Sequence, residues 1–465
     1  MSERQHGKNE SSVNSGGVSR RSVVAAGAVT ALATAVTTVT YGATAARAAT
    51  AATGGLRVGV GKAAFTPSAS LLPLDNFTAV HDDLHVRVLL VESGARRIAL
   101  AVLDLTSISA EAVALMRQAV AAATGIAATD IMITVTHCFS APHVAATTAS
   151  ANAAAYVRNI VTATSAAVAD AVGNLQDAQV GYGSGRADVN VNRNVATADG
   201  YWLGVNEQAP SDKGVYVARF NDLDGNPIAV LANYNVQSCV MQDSVMNDGT
   251  LPITADLAGA AVAHVESQYP GAVGFWLVGA CGDQFPGYRS KRYTIDKSKK
   301  WTYGVDLHDA GFALLTAQGE RLGTEIVRVA QAITRYESGK QVTVRLITDE
   351  ITTTQFKGAP ASGPVKTATF PPDGTAEVPL WVFQVGKGVF AGVEPELSTS
   401  TATAIREASS FDSTFVMSMF EGGAKNMPDR WNFDHFTYEA VDGFYVKGTA
   451  EKAATRITHL IKSLN

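Results

Sequence analysis

The stretch Asp130-Ile-Met-Ile-Thr-Val-Thr-His-Cys-Phe-Ser-Ala-Pro-His143 runs from apolar β-branched residues straight into imidazole, thiol and hydroxyl groups. Ile131 to Val135 reads as a buried strand, and Ala141-Pro142 stops it. Polar residues at the C-terminal end of a buried parallel strand are where α/β proteins place their chemistry. His137 is therefore a candidate general acid/base, and His143 a candidate substrate contact. Other polar residues stand at comparable places. Asp104 ends the apolar run Ile98 to Leu103. Asn235 and Gln237 follow Ile228 to Tyr234. Asp283 follows Gly274 to Val278 and the small-residue turn Gly279-Ala280-Cys281-Gly282, which leaves room for close backbone approach to a ligand. Arg193, in the polar stretch Asp188 to Asn194, is a candidate for an anionic or polar substrate group, with Asp104, Asp283 or Glu396 orienting the histidine. His81 stands at the head of another strand. Arg430, His435 and Tyr438 sit in a segment rich in polar and aromatic residues, suited to a substrate wall for a sugar or polar molecule.

The elements that must carry these groups follow from periodicity. Leu56 to Phe65 alternates and stops at Thr66-Pro67, as a first strand would. Ala110 to Ala123 has Val113, Met116 and Val120 at helical spacing. A strand ending at Asp104, that helix, and a strand ending at His137 make a βαβ unit, with both polar residues at one sheet edge. Ala153 to Val172 reads as a long Ala-rich helix. Val215 to Phe220 and Ile228 to Tyr234 flank Asn221-Asp-Leu-Asp-Gly-Asn-Pro227, a hairpin signal. Ala255 to Tyr269, with Thr254 as cap, and Asp309 to Thr334 read as helices. Val342 to Ile351, Trp381 to Gln384 and Gly388 to Val393 are strand-like, Phe415 to Met419 is a strand, and Thr449 to Ser463 is a closing helix. The fold class expected is α/β, mixed sheets with flanking helices, in one continuous domain over residues 49–465.

Ser19-Arg20-Arg21-Ser22-Val23-Val24 opens an uncharged Ala-, Thr- and Val-rich run to Ala46, and Ala46-Arg47-Ala48 offers a cleavage site. Residues 1–48 thus read as a twin-arginine-type signal peptide, implying secretion. Five of the 37 basic and two of the 42 acidic residues precede that site, so the remainder carries a formal charge of −8. Mild acidity argues against nucleic acid and anionic lipid as partners, and no later stretch is apolar enough for a membrane anchor. Cys138, Cys239 and Cys281 are too few for a disulfide scaffold. One disulfide with a free thiol, or a thiol cluster, both remain open.

Several segments together resemble the N-terminal catalytic domain of the neutral/alkaline, non-lysosomal ceramidase family. These are Val58-Gly59-Val60-Gly61-Lys62-Ala63, His81-Asp82 leading to Arg87, Asp104, Thr136-His137 with Ser140 and Pro142, and Tyr182-Gly183-Ser184-Gly185 followed by Asn192-Arg193. Thr254-Ala255-Asp256, Gly282-Asp283 with Pro286, and Gly392 to Glu396 complete the ordered series. The immunoglobulin-like domain that follows in long members is expected to be absent. The resemblance implies a zinc-dependent amidase of ceramide, whose metal is held by two His, a Glu and a Tyr, with a Ser at the reacting centre. Of these, His137 and Glu396 match metal ligands, and Arg193 matches a substrate-contacting Arg. The second ligand His reads Gln237, an active-site His reads Phe139, and the Ser reads Phe285. No Tyr occupies residues 424–430, and Tyr438 is the nearest.

Glutamine is a poor zinc ligand, and Phe is neither nucleophile nor base. The leading expectation is therefore a secreted hydrolase, or other bond-cleaving enzyme, with His137-centred acid/base chemistry on a polar amide, ester or glycan rather than ceramide. One alternative is a zinc-dependent amidase rebuilt with Cys138 or Cys239 beside His137 and Glu396. The other is a binding protein that keeps the pocket without the chemistry.

Overall fold

The alternation at the start of the chain gives β1 (Leu56–Ala64), which pairs antiparallel with β2 (His85–Ser93), and β2 pairs in turn with β3 (Arg96–Leu103). The computed structural model describes residues 54–464 apart from 296, 297, 299, 358–360 and 424. The expected export signal lies outside the described residues. Helix α1 (Ala110–Thr124) begins at Ser109, whose side chain accepts from the Ala112 N–H, and ends at Gly125 in the left-handed region with φ 71°. These are the usual start and stop chemistries of a helix. The chain then enters β4 (Ile131–Val135), which lies parallel to β3 with Leu103 opposite Val135. The βαβ unit expected from the sequence is thus present, and it puts residues 104 and 136–137 at one edge.

Helix α2 (Ala151–Gly173) covers this first sheet and explains the glycines of β1. A Cβ on Gly59 would stand 2.0 Å from the Ala171 carbonyl oxygen, and one on Gly61 1.9 Å from that of Ala167. The helix lies so close that only glycine fits beneath it. Gly61→Ala is expected to cost about 1–3 kcal/mol, because the added methyl meets helix backbone, which cannot rotate away as a side chain would. A urea midpoint equal to that of the parent would contradict this packing.

The middle of the chain supplies β5 (Gln179–Arg186), β6 (Asn190–Thr197), β7 (Gly200–Asn206), β8 (Gly214–Asn221) and β9 (Pro227–Tyr234). Helix α3 (Asp256–Gln268), β10 (Val273–Val278), β11 (Gln284–Pro286) and α4 (Gly311–Ala332) follow. The second sheet has the order β10-β9-β8-β5, with β9 and β10 parallel, while β11-β6-β7 form a small three-stranded sheet. Strand β6 runs through the stretch that the sequence marks only as polar, Asp188 to Asn194. Asn190, Asn192 and Asn194 are all buried, and each spends its amide on hydrogen bonds. Thr254 lies just outside α3. Its Oγ1 accepts from the Asp256 N–H, and Ala255 is the capping residue.

The last part builds a third sheet from β12 (Val344–Phe356), β13 (Pro372–Val385), β14 (Gly388–Val393) and β15 (Ser413–Met417), in sequence order. Helices α5 (Thr399–Ala408) and α6 (Thr449–Lys462) pack on one face of it around Ile405, Ile457 and Ile461. The other face meets the first two sheets through Leu100, Leu231, Phe383 and Phe390. The described residues fall within one compact unit, α/β in class, and no described helix is long and apolar enough to cross a membrane.

Candidate active site

His137 follows β4 by two residues, in the left-handed region with φ 55°. Its neighbours hold it there: the Thr136 N–H donates to the Leu103 carbonyl, the Cys138 N–H to that of Leu105, and the Phe139 N–H to that of Ser238. The imidazole is buried. Its Nδ1 lies 2.8 Å from the Thr106 carbonyl oxygen, which can only accept, so Nδ1 carries a hydrogen. Nε2 is then a lone pair in the neutral ring, yet it faces Glu396 Oε1 at 3.1 Å without a well-formed hydrogen bond. A bare lone pair facing a carboxylate is repulsive. A proton on Nε2 or a cation between the two atoms removes that repulsion.

Glu396 arrives on a two-residue strand, Glu396–Leu397, parallel to Asn426–Met427. Its Oε2 accepts from Gln237 Nε2 at 2.6 Å, and Gln237 Oε1 accepts from Arg193 Nη1 at 2.9 Å. Arg193 Nε donates to Glu439 Oε1 at 2.5 Å. The result is one buried polar chain, His137–Glu396–Gln237–Arg193–Glu439. Burial alone would raise the Glu396 carboxyl, but the facing imidazole, then Arg193 and the Gln237 amide, outweigh it and hold the group at about 2. Two buried carboxylates and one guanidinium leave a negative charge that a protonated His137 or a bound cation would balance.

Apolar rings wall this chain. Phe139 stands edge-on to His137 with centroids 4.5 Å apart, and the Arg193 guanidinium lies 5.1 Å from the rings of both Phe285 and Tyr438. Beyond Phe285 a cavity of about 860 Å³ opens, with Arg289 and Asn190 among its walls.

The donors suit a divalent metal. His137 Nε2, Cys281 Sγ and one Glu396 oxygen lie within 4.8 Å of one another. Two ligands at about 2.0–2.2 Å from a tetrahedral zinc stand roughly 3.3 Å apart, close to the histidine–carboxylate separation here. A backbone carbonyl on Nδ1 is also the usual outer partner of a ligating histidine. The thiol differs from the one expected. Cys138 Sγ turns to the Thr254 carbonyl at 3.1 Å, and Cys239 lies in the apolar cluster with Trp202 and Phe285. All three cysteines are buried and free. Burial raises the Cys281 thiol well above its ordinary value, and the neighbouring Glu396 charge adds to this.

The remaining sequence candidates lie as follows. Asp283 is next to the chain: its carbonyl accepts from the Arg193 N–H, and its Oδ1 accepts from the Thr399 N–H and Gln284 Nε2. Asp104 is engaged by Arg87 at 2.7 Å and by the His85 N–H, so it ties β2 to β3. Asn235 fastens the strand ends, accepting from the Ala280 N–H and donating to Asp212. The small residues of the following turn make room for it, since a Cβ on Gly279 would stand 2.0 Å from Asn235 Oδ1. His81 is exposed, stacked on Phe312 and paired with Asp82. His143 is exposed and paired with Asp75. Arg430 is exposed near Glu451, and His435 stacks on Trp431 with Tyr201 edge-on to both. Of these three, Tyr438 reaches the polar chain, its ring against the Arg193 guanidinium and its hydroxyl 3.3 Å from Asp442. Two residues of the site were not singled out for it by sequence. Glu439 carries no local signature, and Cys281 was flagged only as one of three thiols.

The architecture is that of the neutral ceramidases. A crystal structure of neutral ceramidase from Pseudomonas aeruginosa matches with a TM-score of 0.66 and 16% identity, covering 88% of this chain and 74% of that one. A structure of a ceramidase complexed with C2 matches with a TM-score of 0.67 and 16% identity, covering 88% and 75%. No family model and no curated protein sequence matches the chain.

Proposed function

We propose that this protein is a secreted hydrolase on the ceramidase-like fold, acting on a polar amide, ester or glycosidic bond of a substrate other than ceramide, with His137 as its acid/base. The observation that carries the reading is the buried contact of His137 Nε2 with Glu396 Oε1, the imidazole being fixed from behind by the Thr106 carbonyl. A proton carried by Nε2 would lie between imidazole and carboxylate, the geometry of an acid/base pair. Gln237, itself held by Arg193, fixes the carboxylate, and Phe139 packs edge-on against the imidazole. Phe285 stands where the resembled family carries its serine. This argues for a reaction without that serine, and so for a different substrate.

A second reading is supported by the convergence of Cys281 on the same point. His137, Glu396 and Cys281 would hold a zinc ion with one position open, and zinc there would supply Lewis acidity and an activated water.

The test is turnover of a panel of amides, esters and glycans, with and without a strong chelator, alongside elemental analysis of protein purified without added metal. The acid/base reading expects turnover that survives the chelator and falls about 10²–10⁴-fold in His137→Ala. One zinc per chain, lost in Cys281→Ser together with turnover, would transfer the proposal to the second reading. Turnover unchanged in His137→Ala would end both.

A further inference from the structure

The cavity beside Phe285 has a one-sided charge. Its walls carry Arg186, Lys213, Arg289, Arg292 and Arg321 against Asp188 and Glu207. Lys213 is neutralised by Asp188 at 2.9 Å. No described carboxylate pairs with the other four cations through a side-chain ion pair. Arg289 is the telling one, because it is buried. Its Nε donates to the Cys239 carbonyl at 3.1 Å and its Nη2 to Gln242 Oε1 at 2.8 Å, while its plane covers the Phe285 ring at 4.2 Å. All these partners are neutral. Its Nη1 donates to no described group. A buried guanidinium without a counter-ion is costly, and a protein keeps one where an anion is to be met.

We propose that this cavity binds an anionic, sugar-sized molecule whose phosphate or sulfate group seats on Arg289. Guanidinium forks match tetrahedral oxyanions, and Arg292, Arg186 and Arg321 line the same cavity, the last two sharing the field of Asp188. About 860 Å³ is far more than one phosphate fills and is in the range of small-molecule sites. The rest of the wall suits a polyhydroxylated body: Asn206 and Ser211 are polar, and Tyr288 presents a 66% exposed ring for stacking. Neither His137 nor Glu396 lines this cavity, so the binding stands whether or not His137 performs the chemistry proposed above.

The experiment is titration calorimetry with glucose 6-phosphate, glucose 6-sulfate and glucose at low ionic strength. Binding of either ester is expected, with glucose at least tenfold weaker, and affinity should fall as sodium chloride is raised. The double variant Arg292→Gln/Arg321→Gln should weaken the esters tenfold or more, and Arg289→Gln further still. Should Arg289→Gln not fold, the double variant at less buried positions carries the test. His137→Ala should bind the esters as the parent does. Binding of one ester alone supports the proposal and names the oxyanion. Equal binding of glucose and both esters, no binding of either ester, or parent-like affinity in the double variant overturns it.

Discussion

Arg193→Leu is expected to cost the fold about 3–5 kcal/mol, read as a lower midpoint in urea unfolding. The cause is what the arginine leaves behind. Among the described residues Glu439 is 0% exposed, its Oε2 already lacks a partner, and its Oε1 would lose the one cation bonded to it. Gln237 Oε1 would lose its donor, and Glu396 one of the two charges holding it ionised. Removing one partner of a buried pair costs more than the pair contributes, since the survivor keeps its desolvation penalty. Hence the double variant Arg193→Leu/Glu439→Gln should be more stable than the single one, with a coupling of about 0.5–3 kcal/mol. Strict additivity of the two changes would show that the residues do not act as a pair.

The second large effect concerns pH. Burial pushes the Asp283 carboxyl up to about 7, against hydrogen bonds from Gln284 and the Thr399 N–H that favour the ionised form. In the unfolded chain the same group titrates near 3.9. Between those values the folded protein holds a proton that the unfolded chain has released, so stability falls as pH rises from about 4 to about 7 and is level above. The loss from this residue should be about 2–4 kcal/mol. Asp283→Asn, which cannot ionise, should flatten that limb. Asp256 and Asp442 are also raised by burial, so the comparison of variant with parent isolates Asp283. Glu396 works in the opposite sense. Its folded value of about 2 adds stability above its unfolded pKa that is lost as pH falls toward 2. Denaturant curves at pH 5 and pH 8 in a chelating buffer are the measurement. The same pH dependence in Asp283→Asn as in the parent would refute the assignment.

How much of this was legible in the sequence depended on whether the signal was local. The βαβ unit leading to His137 was readable because apolar periodicity and strand-end polarity lie within a few residues of each other. Glu396, Gln237 and Arg193 were found because each stands at a recognisable position of a long ordered series. Strand β6 went unassigned because its asparagines, buried and bonded to Asp212, Pro210 and Asn432, give only a polar signal in one dimension. Glu439 was invisible for a related reason. It lies 246 residues from Arg193, and no neighbour marks it as the partner of a buried cation. Cys281 was hidden among three thiols, because which sulfur faces the site depends on backbone directions that spacing does not encode.

The polar chain also bears on how the protein comes into being. Its links close spans of 44, 159 and 246 residues. A nascent chain that has emerged as far as Gln237 already holds His137 and Arg193, yet neither has its carboxylate until Glu396 and Glu439 leave the ribosome. The centre is thus assembled only once Glu396 and Glu439 have been made, by docking of the third sheet and the segment that follows it. Pairings of such long sequence separation form slowly. Until then Arg193 lacks its carboxylate, and a chain cut short before Glu439 retains the first two sheets' sequence but never a finished centre.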